Sequence, residues 1–165
     1  MSAEGALRVL GIDPGLNITG YAVLDAGAGE PRIVEAGTLR TNAKAPMAER
    51  IAQIHADLAE VIAEMKPHVV AIEKLYAHYK HPRTSILMAH ARGVVLLAAQ
   101  QAGVSIRNLA ATAVKKHLTG NGHASKHQVQ HAIQSLCGLE ALPEPPDVAD
   151  ALAIALCAAQ TTEVR

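Results

Sequence analysis

The segment HVVAIE at residues 68–73 constrains the fold more than any other feature of this chain. It is a continuous apolar run without alternation, the pattern of a strand covered on both faces. Helices must therefore flank the sheet that contains it, and the sequence supplies them on either side. Before it, Ile51, Ile54, Leu58, Val61 and Met65 recur at helical spacing over about 46–66, and Pro67 stops the pattern. After it, a second helix rich in Ala, Leu and Val is predicted from Pro82 to about Ala102.

Three further strands precede this unit. RVLGIDP at 8–14, ITGYAVLD at 18–25 and RIVEAGTLR at 32–40 are close enough to form an antiparallel meander, with AGAGEP as the turn before the third. A fifth strand is predicted at 103–109 (GVSIRNL), followed by short helices at 111–118 and 125–137 joined by TGNGHAS. PEPP at 143–146 breaks the chain before a strong final helix at 147–160. This order predicts an α/β fold: a five-stranded mixed sheet with helices on both faces. We find no internal repeat, linker or low-complexity tract, so residues 1–165 are expected to form one domain.

The core of such a domain has to be aliphatic, because the chain has no Phe or Trp and only Tyr21, Tyr76 and Tyr79. No apolar run approaches the ~20 residues that span a bilayer, and MSAEGALRVL lacks the layout of a signal peptide. Cys137 and Cys157 fit neither a metal spacing nor a disulfide framework. They are expected to be reduced core residues of a cytoplasmic protein.

A net charge of zero hides a strong asymmetry. From Lys74 to Leu139 there are eight Lys and Arg, seven of the nine His, and no Asp or Glu. Residues 1–73 carry six bases against ten acids, and residues 140–165 carry one against five. A basic middle between acidic ends points to a polyanionic partner.

Four acids stand out by position. Asp13 ends the first strand and Glu73 ends the fourth, so parallel pairing of those strands brings both carboxylates out at one sheet edge. Asp147 and Asp150 open the final helix three residues apart and share a face. Each has a plainer explanation: Asp13 as a turn initiator before Pro-Gly, Glu73 as a strand end, Asp147 as a helix cap. Capping accounts poorly for Asp150 within the apolar DVADALAIAL. Four converging carboxylates repel unless cations sit among them. Hard oxygen donors in that number suit magnesium, with manganese as a substitute, and two such ions can drive phosphodiester hydrolysis.

Five motifs then carry a resemblance: GIDPG at 11–15, AIEKLY at 71–76, ARG at 91–93, VKKHLTGNGHASKHQVQ at 114–130 and DVADALAIA at 147–155. In this order they resemble the RuvC-type Holliday-junction resolvases over about nine-tenths of the chain. The resemblance implies an RNase H-like fold, a homodimer, a four-way DNA junction as substrate and paired nicks in strands of like polarity. It also implies a branch-migration motor as partner, and four acidic metal ligands that carry over onto Asp13, Glu73, Asp147 and Asp150. Lys115 and Lys126 fall where the family has functionally important basic residues, and Tyr76 stands where it carries an aromatic, often Phe. The expectation is that both lysines contact DNA and that Tyr76 stacks on a base at the opened junction, with Tyr79 nearby.

Two departures from the family pattern are visible. Tyr76 adds a hydroxyl, and Lys74 follows Glu73 where a neutral or acidic residue is more familiar; Lys74 is expected to point to the opposite face of its strand. The helix at 82–102 has small residues (Ala89, Ala91, Gly93, Ala98 and Ala99) that would let a second helix approach, either a dimer partner or the helix at 46–66. Other readings are an RNase H-like nuclease acting on structured RNA, a non-catalytic junction-binding protein, and an actin-like phosphotransferase suggested by DPGLNITG. The non-catalytic protein would be expected to have lost one of the four acids, and the phosphotransferase needs a second Gly-rich loop that this chain lacks. His117, His123 and His127 are expected at the surface or in contact with phosphate.

Overall fold

The structure, a computed structural model, describes residues 5–76 and 80–161. Five strands form one sheet in the order β3-β2-β1-β4-β5. β1 (Leu7–Asp13), β2 (Ile18–Ala26) and β3 (Arg32–Arg40) make the antiparallel meander, while β4 (Val69–Glu73) and β5 (Ser105–Leu109) add in parallel. Helices α1 (Met47–Met65) and α2 (Pro82–Gln101) form the crossovers on one side of β4 and β5. α3 (Ala111–Thr119), α4 (Lys126–Leu136) and α5 (Pro146–Thr161) follow. All ten elements were legible in the sequence, with bounds shifted by a few residues.

Strand alternation sorts the aliphatic side chains into two cores. Leu10 and Ile12 of β1, Val23 of β2, and Val70 and Ile72 of β4 pack with Leu58, Ile62, Val95 and Ala99 of α1 and α2. Val9, Ala22, Leu24 and Ala71 point to the opposite face, against Leu152, Ala155, Leu156 and Ala159 of α5. Burying one such Leu or Ile contributes about 2 kcal/mol relative to exposure, so these two layers hold the sheet between the helices with aliphatic side chains, and Tyr21 packs half-buried at the edge of the first. α5 is buried at every position from Ala151 to Ala159, which is why its sequence shows no polar stripe.

The two cysteines are free; Cys157 is buried and Cys137 half-buried, and burial pushes both thiols up. No helix among the described residues is long and apolar enough to cross a membrane.

Candidate active site

The period-two alternation that builds the cores also aims the acids. In β1, Val9 faces α5 while Leu10 and Ile12 face away, so Asp13 points to the α5 side. In β4, Ala71 faces α5 while Val70 and Ile72 face away, and Glu73 therefore comes out on the same side. The parallel register Ile12↔Ile72 makes these two carboxylates neighbours across the strand pair.

The start of α5 is brought to them by a glycine. Gly20 lies directly opposite Asp13 in the β1–β2 ladder. A Cβ built on Gly20 would stand 2.1 Å from the carbonyl oxygen of Asp147, and one on Gly11 would stand 2.3 Å from that of Ala151. Both glycines are thus points where the backbone of α5 presses on the sheet, a place no other residue can occupy. The N-terminal turn of α5, with Asp147 and Asp150, is seated over the end of β1 as a result.

The capping explanation of Asp147 does not hold. The helix begins at Pro146, and the N–H groups of Val148 and Ala149 donate to the carbonyl of Pro145 (3.0 and 3.2 Å). No hydrogen bond engages the Asp147 carboxylate among the described residues, which leaves it available to the site.

The electrostatics show how closely the acids are grouped. Burial, and then the negative charges of Asp150, Asp147 and Glu73, push Asp13 up from 3.8 to about 7, with Lys126 pulling the other way. Burial and Asp150 also hold Glu73 above its ordinary value against the pull of Lys115. Asp150 is raised chiefly by burial, opposed by Lys126 and then reinforced by Asp147. This set of carboxylates is strained by its own charge, and positive charge nearby relieves it.

The two expected lysines are the nearby positive charges. Ser125 accepts from the Gln128 N–H (3.2 Å) and the Gln128 side chain accepts from the Ser125 N–H (2.8 Å), a capping box that fixes the start of α4. Lys126 is its first residue, and its Nζ stands 3.8 Å from Asp150 Oδ2. Lys115, half-buried on α3, lines the same cleft of about 270 Å³ as Asp13, Glu73, Asp150 and Lys126.

The donor set is all carboxylate, partly desolvated and in excess over the lysines, which fits a hard divalent cation and not a soft one. Among the described residues no three His, Cys, Asp or Glu side chains are drawn into a tight ligand cluster. The four acids share a region and a field, in an open arrangement.

A second cavity of about 580 Å³ adjoins the first, walled by Asp13, Glu73, Leu75, Tyr76, Met88 and Arg92 among others. Tyr76 is 58% exposed and so is no part of the core; Tyr79 lies outside the described residues. Lys74 follows the strand end, is exposed and lines this same cavity, which Met88 and Arg92 of α2 also wall. His117, His123 and His127 are exposed.

The structure divides the small residues of α2 between the two roles expected of them. Ala91, Ala98 and Ala99 are buried in the cores that α2 shares with α1, so at these positions it is the packing against the helix at 46–66 that holds, and they offer no face to a dimer partner. Ala89 and Gly93 are exposed, on a strip with Ile86 (60% exposed) and Leu97 (50%). Sequence reasoning also missed Arg92 and Asn108. ARG marked the helix, but its side-chain contacts follow from tertiary packing alone.

Comparison with known proteins identifies the family to which this fold and sequence belong. The family model for the crossover junction endodeoxyribonuclease RuvC matches residues 9–158. The RuvC of Rhodopirellula baltica is 48% identical over 149 residues, covering 90% of this chain and 84% of the relative. The RuvC of Moorella thermoacetica is 42% identical over 151 residues, covering 92% and 90%. Among solved structures, Thermus thermophilus RuvC in complex with a Holliday junction substrate superposes with a TM-score of 0.85 at 36% identity, covering 92% of each chain. The yeast mitochondrial Holliday junction resolvase, at 15% identity and a TM-score of 0.66 over 93% and 79%, shares the fold. On the strength of the matched span, the identity and the superposition, the chain belongs to the RuvC family of crossover junction endodeoxyribonucleases.

Proposed function

We propose that this protein is a nuclease that resolves four-way DNA junctions, divalent-metal-dependent as its family is, and that Asp13, Glu73, Asp147 and Asp150 are its metal ligands. The observation that carries the reading is the seating of the α5 acids over the ends of β1 and β4, where the carboxyl of Asp13 is held near 7 by burial and its acidic neighbours. The four carboxylates would hold magnesium, two ions per site with manganese able to substitute, and the bound metal would supply an activated water and charge stabilisation for the leaving oxygen of a phosphodiester.

The remaining roles belong to the chain's own groups. Lys115 and Lys126 stand beside the acids and attract the phosphate backbone into the cleft. Tyr76, exposed at the cavity mouth, offers a ring on which a base of the opened junction stacks. The strip Ile86, Ala89, Gly93 and Leu97 on α2 is the face of a homodimer, which gives two sites to a substrate of approximate two-fold symmetry. A branch-migration motor as delivery partner and a cytoplasmic setting accord with the family. All four acids are present, so a non-catalytic junction binder is not favoured, and nothing favours an RNA substrate.

The test is a set of four-way junctions, each 5′-labelled on a different strand, incubated with magnesium beside a matched linear duplex. Paired nicks in opposed strands of the junction, with the duplex intact, are expected. Equal cutting of the duplex, or cutting of structured RNA in preference, would overturn the proposal.

A further inference from the structure

Glu73 is the last residue of its strand, and its backbone carbonyl lies where the ladder runs out. The β1–β4 pairing ends at Ile12↔Ile72. On the other side the N–H of Lys74 donates to the carbonyl of Leu109 (2.8 Å), which holds the peptide from below. The Glu73 carbonyl is taken by α2: the Nε of Arg92 donates to it at 3.2 Å, and Nη2 of the same guanidinium donates to Oδ1 of Asn108 on β5. One half-buried side chain thus spans α2, the end of β4 and β5. It also forms a wall of the 580 Å³ cavity that holds Asp13, Glu73 and Tyr76.

A planar guanidinium suits this task because its donors are fixed relative to one another, whereas a lysine ammonium is a single mobile point. The peptide it grips joins Glu73 to Lys74, with Tyr76 three residues on. A shift of that peptide moves the carboxylate on one side and the exposed ring on the other. Nothing else from α2 holds it among the described residues.

We propose that Arg92 is a positioning residue for the nuclease reaction, fixing the peptide after Glu73 through its paired bonds to the Glu73 carbonyl and Asn108. This rests on the reading of Glu73 as part of the catalytic site. Misplacement of a reacting group by about 1 Å costs up to ~100-fold in rate, so the effect falls on the cleavage step and spares junction affinity.

The experiment compares wild type, Arg92→Lys, Asn108→Leu and Glu73→Gln. Thermal unfolding of each is recorded, junction affinity is measured by gel shift in calcium, and single-turnover cleavage is followed against magnesium concentration. Arg92→Lys is expected to lower the saturating rate by ~10- to 100-fold and to raise the magnesium needed for half-maximal rate, with affinity within ~3-fold of wild type. Asn108→Leu, at an exposed position that does not threaten folding, is expected to move the rate in the same direction by ~3- to 10-fold. A wild-type saturating rate in both variants would overturn the proposal, as would weakened junction binding with that rate unchanged, which would make Arg92 a DNA contact. Failure of wild type to cleave, or full activity in Glu73→Gln, would instead overturn the catalytic reading itself.

Discussion

Replacing Asp13 by Asn should stabilise the metal-free protein, by an amount that depends on pH. Burial first, and then Asp150, Asp147 and Glu73, raise the Asp13 carboxyl from 3.8 to about 7. Because the folded value lies above the unfolded one, the folded protein holds this proton more tightly between those limits. Stability therefore falls as pH rises through the window and is lowest above pH 7. About three pKa units at ~1.4 kcal/mol each set an upper bound of ~4 kcal/mol on the alkaline side. Side-chain relaxation and solvent at the cleft mouth bring the expected gain in Asp13→Asn to about 2 kcal/mol at pH 8.5, or a rise in Tm of ~4–8 °C for a chain of this length. At pH 5 wild-type Asp13 is already protonated in the folded state, and the remaining cost of that proton is about a third of the alkaline figure. The assay is thermal unfolding of both proteins in chelator at pH 5 and pH 8.5, repeated with magnesium at pH 8.5. Magnesium should narrow the gap by stabilising wild type more than the variant. A variant no more stable than wild type at pH 8.5, or a gap that fails to shrink at pH 5, would refute the argument that these acids share one field.

Three further outcomes follow from particular contacts. Gly20→Ala places a methyl 2.1 Å from the Asp147 carbonyl oxygen, so calorimetry should show a loss of ~1–3 kcal/mol, and cleavage should fall further than the stability loss explains because α5 is pushed off the acids. Lys126→Met removes an exposed partner 3.8 Å from Asp150, so stability should change by less than ~1 kcal/mol. The acid limb of its pH–rate profile should nonetheless move to higher pH, because Lys126 is among the charges that pull Asp13 and Asp150 down; an unmoved limb would contradict the placement of Lys126. Leu97→Glu, on the exposed strip of α2, should convert a dimer to a folded monomer in sedimentation, and an unchanged dimer would show that another face is used.

The parts of this protein that its sequence makes legible are those where one periodicity dominates. The apolar run at 68–73 announced a covered strand, and the places where strands 1 and 4 turn acidic located Asp13 and Glu73. The DxxD spacing put Asp147 and Asp150 on one face of a helix. What stayed hidden depends on contacts between distant segments. Nothing local distinguishes Gly20 from a turn or bulge glycine, yet it is the seat of α5. Arg92 stands in the ARG motif, but nothing local tells what it binds, because its two acceptors lie on different strands. The small residues of α2 left two roles open for a related reason. That helix is apolar on its buried side and on part of its exposed side, so composition cannot say which alanines face the core.

Cleavage of a labelled four-way junction in magnesium, with wild type beside Asp13→Asn, tests the central claim most directly. Paired symmetric nicks by wild type that vanish in Asp13→Asn, while junction binding persists in both, are the predicted result. Retained nicking by Asp13→Asn would contradict the four-carboxylate site, and binding without nicking by wild type in either magnesium or manganese would contradict the nuclease.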